Sequence, residues 1–137
     1  MKSQVLFTHA HATFALYYHL VFVTKYRKKV ITNNILCDLK EIFEYLCKKW
    51  NCQLIEFNGE QDHVHLLIAA HPDMNLSVFV NNLKTVSSRL IRKKYKDYLS
   101  AYYYKPFFWK KAYCIISVGG APLEILKQYI ENQNINN

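Results

Sequence analysis

Two histidines separated by one apolar residue, His63-Val64-His65, are the sharpest chemical feature of this chain. On a β-strand, residues two apart project to one face, so both imidazoles would stand together while Val64 enters the opposite side. Their backbone positions would lie about 6–7 Å apart, near enough for two ring nitrogens to converge on one divalent ion. Near the C-terminus, Tyr129 and Gln133 have the four-residue spacing that puts two side chains on one helical face, about a turn apart. A phenol can attack phosphorus when a cation polarises the phosphate, and an amide oxygen can complete a metal shell beside two imidazoles. Each feature also has a plain reading. An H-x-H pair can occur without a metal, and one tyrosine among the 11 in this chain can simply pack.

The chain carries its own comparison for the histidine pair. His9-Ala10-His11 has the same spacing but falls in an unpatterned arm, residues 1–13, with no strand after it and no acidic neighbour, and reads as incidental. His63 and His65 instead follow the polar Glu60-Gln61-Asp62 turn and open a hydrophobic strand, which combines rigidity with access. Asp62 either touches the metal or its water, or serves only the turn. His19 and His71 lack partners at useful spacing and read as structural or surface residues.

Positive charge collects in two runs: Lys25, Arg27, Lys28 and Lys29 around Tyr26, and Arg89, Arg92, Lys93, Lys94 and Lys96 beside Tyr95 and Tyr98. Lys and Arg neutralise phosphates, and interleaved aromatics stack unpaired bases. A net charge of +8 and a pI near 9.3 likewise favour a polyanionic partner. Either run alone reads as an ordinary solvated face.

These residues need elements to hold them. The stretch LYYHLVFVT, residues 16–24, is rich in aromatic and β-branched residues and predicts a first strand, with Tyr18, Leu20 and Phe22 on one face and Tyr17, His19, Val21 and Val23 on the other. Asn33 or Asn34 can cap a helix whose apolar positions Ile35, Leu39, Ile42, Phe43, Leu46 and Trp50 keep helical spacing. Residues 52–58 alternate as a strand, Gly59 marks a turn, and HVHLLIAA follows as a strand antiparallel to it. A second helix is expected over residues 75–95, its last turns loaded with cations that complement the helix dipole. After an aromatic stretch and a turn at Pro106 comes a strand around WKKAYCIISV, ended by Gly119-Gly120, and Pro122 suits the first turn of a final helix, residues 122–133. The paired glycines either ease reorientation of that helix or form a simple strand-to-helix turn. The order β-α-β-β-α-β-α predicts an α+β split βαβ sandwich: four antiparallel strands, two helices on one face, and an added C-terminal helix carrying Tyr129. Strand order is not legible in these patterns and is taken from analogy with that fold.

At 137 residues the chain reads as a single domain, 1–137, with an arm at 1–13 and a flexible Asn-rich tail at 134–137. The four cysteines show no C-x-x-C pairing and no signal peptide precedes them, so reduced thiols in a cytoplasmic protein are expected. The longest apolar stretch, Phe14 to Val23, is too short to span a bilayer, and no membrane role is expected. No Walker glycine-lysine motif is present, and no nucleotide cofactor is expected.

Together, YHLVFVTKYRKKV (18–30), GEQDHVHLLIAAHP (59–72) and LKQYIENQ (126–133) resemble the single-tyrosine HUH transposases of the insertion-sequence 200/605 type, where HUH denotes His, hydrophobic, His. The resemblance spans nearly the whole chain in the family's order and spacing. It implies a ferredoxin-like or RRM-like core, His63, His65 and Gln133 as ligands of Mg²⁺ or Mn²⁺, and Tyr129 as the nucleophile that forms a 5′-phosphotyrosine. It also implies a homodimer with shared active sites, which recognises single-stranded DNA hairpins at the ends of the element. Lys25, Tyr26, Arg27, Lys28, Lys29, Arg89, Arg92 and Lys93 are the expected DNA contacts. The rival readings are a non-catalytic or domesticated single-stranded nucleic-acid-binding protein of RRM-like fold, and a metal-dependent nuclease that uses water.

Overall fold

The computed structural model describes residues 7–9, 12–14, 16–118 and 130–131 of the chain. Its centre is β3, Leu16–Thr24, the strand expected from the aromatic and β-branched run and with the same bounds. It pairs antiparallel on one side with β5, His63–Ala70, and on the other with β6, Trp109–Ser117. The strand β4, Gln53–Gly59, pairs with the outer edge of β5, giving the order β4-β5-β3-β6. The chain therefore leaves β3, crosses over β5 to the edge, returns by a hairpin into β5, and crosses over β3 to reach β6. This is the split βαβ sandwich expected from the element order, and it supplies the strand order that patterning could not.

Two helices fill the crossovers on one face of the sheet. Helix α1, Asn33–Lys49, buries Ile35, Leu39, Phe43, Leu46 and Cys47 at helical spacing. Its cap is Thr32, one residue before the asparagines expected to cap it: extended backbone lets the Thr32 hydroxyl accept from the amide of Ile35 at 3.2 Å. The helix ends where Asn51 adopts a left-handed conformation, φ 55°, and the amide of Cys52 turns back to the carbonyl of Cys47 at 2.9 Å. Helix α2, Leu76–Lys94, is capped by Asn75 and buries Phe79, Val80, Leu83, Ser87 and Ile91. A short helix α3, Lys96–Ser100, follows without an intervening loop. These residues fall between the expected second helix and the aromatic stretch, and five residues carry too little periodicity to stand out.

The main core lies between this helical layer and the Leu20, Phe22, Val64, Leu66 and Ile68 side of the sheet. Phe22 meets Phe43 and Trp109 edge-on, at centroid distances of 5.9 and 5.7 Å. Phe43 is fully buried and also touches Phe57, so Phe43→Ala removes a large side chain from packed surroundings. Its expected cost is about 3–5 kcal/mol in a urea unfolding titration, with the sheet's opposite face untouched.

Two further features lie outside the sandwich. The expected unpatterned arm instead contains a two-stranded antiparallel ladder, β1 (Phe7–His9) with β2 (Ala12–Phe14). Three-residue strands are too short to show alternation, so this ladder was invisible to pattern reading. His9 ends β1, while His11 lies outside the described residues. Gly119, Gly120, Pro122 and most of the expected final helix also lie outside them; Ile130 and Glu131 are described and helical. Among the described residues, no helix is long and apolar enough to cross a membrane.

Candidate active site on the open sheet face

The face of the sheet away from α1 and α2 carries the expected chemistry. The register sets Val23 opposite His63 and Val21 opposite His65, so both histidines stand beside the buried Val21 and Val23 while Val64 enters the core. The His63-Val64-His65 geometry expected of a strand is therefore met: both imidazoles project from one face at the start of β5.

His63 is held from behind. Its Nδ1 lies 2.8 Å from Oδ1 of Asp62, and a carboxylate can only accept, so the His63 proton sits on Nδ1 and the Nε2 lone pair is left for a ligand. Oδ2 of the same carboxylate accepts from Nε of Arg27 at 2.9 Å. Burial pushes the Asp62 carboxyl up, but the hydrogen bonds and charges of His63 and Arg27 outweigh that effect and hold it below the ordinary carboxylate value. Asp62 thus orients a histidine, which is neither metal contact nor a turn role alone.

His65 also has a partner, one that local sequence spacing does not reveal. His19, read as structural or surface, lies on the same face, with its Nδ1 2.6 Å from Nε2 of His65 and the two rings stacked 4.8 Å apart. Burial lowers the pKa of both rings; His65 is lowered further by His19 and His63, with Glu56 opposing on each. Both are thus neutral at pH 7, the state in which an imidazole can ligate a metal. Alternation had put His19 on the correct face, but only the β3–β5 register shows that it meets His65.

A divalent ion fits this donor set. Two imidazoles project from one rigid strand, and the His63–Asp62 hydrogen bond leaves the His63 Nε2 free to bind. Among the described residues, no third His, Cys, Asp or Glu completes a cluster with them. Gln133, the expected third ligand, and Tyr129, the expected nucleophile, lie outside the described residues. Ile130 and Glu131, which lie between them in sequence, are described. Ile130, like Cys114 and Ile116, packs against Val21 and Val23 on the open face, and the carbonyl of Glu131 accepts a long hydrogen bond, 3.4 Å, from Arg27.

The expected DNA contacts divide. Lys28 and Lys29 are exposed, while Lys25 is partly covered, its ammonium over the rings of Tyr26 at 5.2 Å and Phe107 at 4.8 Å. Arg27 is turned towards Asp62 rather than outward. Arg89, Arg92 and Lys93 line a surface cleft of about 440 Å³ with Lys96, Tyr103, Tyr104 and Phe107. Phe107 therefore joins the two basic runs, which are far apart in sequence, into one surface. Tyr104, 92% exposed, offers a ring there for stacking. The loop that makes this junction, residues 101–108, was read only as an aromatic stretch with a turn.

The chain is similar to known proteins over nearly its whole length. Residues 12–133 match the family described as IS200-like transposases. The ISDra2 transposase TnpA of Deinococcus radiodurans is 31% identical over 121 residues, covering 88% of this chain and 86% of that protein. The transposase for insertion sequence element IS200 of Salmonella typhimurium is 31% identical over 124 residues, covering 90% of this chain and 80% of that one. A solved structure of a candidate transposase from Deinococcus radiodurans R1 superposes with a TM-score of 0.82 at 29% identity, covering 98% of both chains. A REP-associated tyrosine transposase bound to a REP hairpin shares the fold alone, with a TM-score of 0.52 at 7% identity, over 85% of this chain and 62% of that one. With nearly its full length matched, the chain belongs to the IS200-like transposase family, of the insertion-sequence 200/605 type.

Proposed function

We propose that this transposase cuts and rejoins single-stranded DNA at the ends of its insertion sequence, with Tyr129 as nucleophile and a divalent ion held by His63, His65 and Gln133. The observation that carries the proposal is the His63 tautomer fixed by Asp62, on the same sheet face that receives Ile130, the residue after Tyr129. When bound, Mg²⁺ or Mn²⁺ supplies positive charge to the scissile phosphate. His63 and His65 would contribute ring nitrogens, and Gln133 an amide oxygen.

Tyr129 would attack phosphorus in line. A bond forms from its phenolic oxygen to phosphorus, the bond from phosphorus to the 3′ oxygen breaks, and the released 3′ oxygen takes up a proton. A second 3′-hydroxyl then attacks the 5′-phosphotyrosine, restores the phosphodiester and returns the tyrosine. One phosphodiester replaces another at nearly equal energy, so no nucleotide is consumed. The phenol's ordinary pKa of about 10 means that its proton must be assisted away.

The partner is proposed to be a DNA hairpin, a reading supported by the basic surface around Phe107 and by the hairpin bound to the REP-associated relative of the same fold. If this surface tracks phosphates, Arg89→Ala and Lys93→Ala should each weaken hairpin binding. Each should also reduce the slope of log affinity against log salt by about one, measured by fluorescence anisotropy. The working form is proposed to be a homodimer with shared active sites. In this chain Ile130 lies against the chain's own sheet and Glu131 meets Arg27, and Gly119-Gly120 is the proposed joint about which the segment would pass to a partner.

End labels test the reaction. A hairpin oligonucleotide labelled 3′ of the cut should transfer its label to protein that survives denaturation, and one labelled 5′ of the cut should yield a free 3′-hydroxyl. Cleavage with no label on protein would favour a nuclease that uses water; hairpin binding without cleavage under either metal would favour a binding module.

A further inference from the structure

Arg27 was expected to contact DNA, yet its side chain points into the site. It stands in a loop with unusual backbone geometry: Tyr26 and Arg27 both adopt left-handed conformations, φ 57° and 53°, disfavoured for residues that carry a Cβ. Two such residues in succession persist only where surrounding contacts impose them. Those contacts are present. The amide of Thr24 donates to the carbonyl of Asp62 at 2.9 Å, and that of Ile31 donates to the carbonyl of Gln61 at 2.9 Å, joining this loop to the turn that precedes His63. The hydroxyl of Tyr103 donates to the carbonyl of Lys25 at 2.7 Å, fixing the loop from its other side.

From this platform the guanidinium reaches in two directions. Its Nε donates to Asp62, whose other oxygen accepts from His63, and its Nη1 donates to the carbonyl of Glu131. We propose that Arg27 is a positioning residue for both halves of the site: through Asp62 it fixes the tautomer and ring orientation of His63, and through Glu131 it holds the segment just after Tyr129 over the same face. This rests on the reading of His63 as a metal ligand and Tyr129 as the nucleophile. The rigid fork of an arginine suits the task, because donors on one planar group meet two acceptors at fixed separation. A lysine carries the same charge as a single point and cannot meet both. A phosphate contact made by charge alone, by contrast, is kept by lysine, which binds phosphate as a point charge.

The test compares wild type, Arg27→Lys, Asp62→Asn and His63→Ala. Three quantities are read: Mn²⁺ affinity of the DNA-free protein by electron paramagnetic resonance, hairpin affinity in EDTA, and single-turnover cleavage at saturating Mn²⁺. Asn at position 62 offers one acceptor and one donor to two donors, so it must release either His63 or Arg27. Arg27→Lys and Asp62→Asn should each weaken Mn²⁺ binding by about 10- to 100-fold. Hairpin affinity in EDTA should stay within about twofold of wild type, because neither variant removes a phosphate contact. Excess Mn²⁺ should restore cleavage in Asp62→Asn more fully than in Arg27→Lys, which also loses the hold on Glu131. Unchanged Mn²⁺ affinity in both variants would overturn the proposal, as would lost hairpin affinity in Arg27→Lys with metal binding intact. If His63→Ala leaves Mn²⁺ affinity unchanged, the metal-site reading itself fails, a result distinct from failure of Arg27 alone.

Discussion

Replacement of Tyr129 by Phe is expected to abolish both the covalent protein–DNA adduct and strand cleavage. The substitution deletes one oxygen and keeps the ring, so the contacts of Ile130 with Val21 and Val23 should survive and the protein should fold and bind hairpin DNA as before. The rate should fall by on the order of 10⁴-fold or more, the scale on which removal of a covalent nucleophile is felt. A single-turnover assay with labelled hairpin and Mn²⁺ measures it directly. A nuclease that activates water would retain its cleavage in this variant.

The second large effect concerns the histidines. His63→Ala with His65→Ala removes both nitrogens that project from the start of β5, while Val64 between them stays in the core. Mn²⁺ affinity should fall by more than about 100-fold, beyond what loss of an orienting partner alone produces. Cleavage should be lost with it. Hairpin affinity in EDTA should persist, because the basic surface around Phe107 is built by α2 and the loop after α3 rather than by β5. Exposing Val21 and Val23 to two truncated neighbours should cost little stability, so a normal melting curve would accompany the lost metal binding. Metal affinity close to wild type would remove the histidines from the site.

Much of this was legible in the sequence, and the parts that were not share a physical cause. The bounds of β3 follow from its run of aromatic and β-branched residues, and those of β5 from the apolar run between the Asp62 turn and the break at His71-Pro72. The pairing of His63 with His65 on one face needs only the two-residue period of a strand. Local pattern contains no register, however. His19 is 46 residues from His65 and Arg27 is 35 from Asp62, and both contacts depend on how β3 lies against β5 and the turn before it. His19 was therefore set aside and Arg27 assigned to DNA. The same limit applies to the basic runs, which Phe107 joins only once the loop after α3 folds back on Lys25. Short elements were lost for a different reason. The β1–β2 ladder and α3 span too few residues for a period to emerge.

The central claim, that Tyr129 forms a covalent bond to DNA, is tested most directly by mass spectrometry of the adduct. Wild-type protein would be incubated with a hairpin oligonucleotide and Mn²⁺, digested with protease and nuclease, and searched for a tyrosine carrying a residual nucleotide phosphate. The account predicts that mass on the peptide containing Tyr129, attached through the 5′ phosphate, and its absence without metal. Cleaved DNA with no modified tyrosine, or a modification at another of the chain's tyrosines, would contradict it.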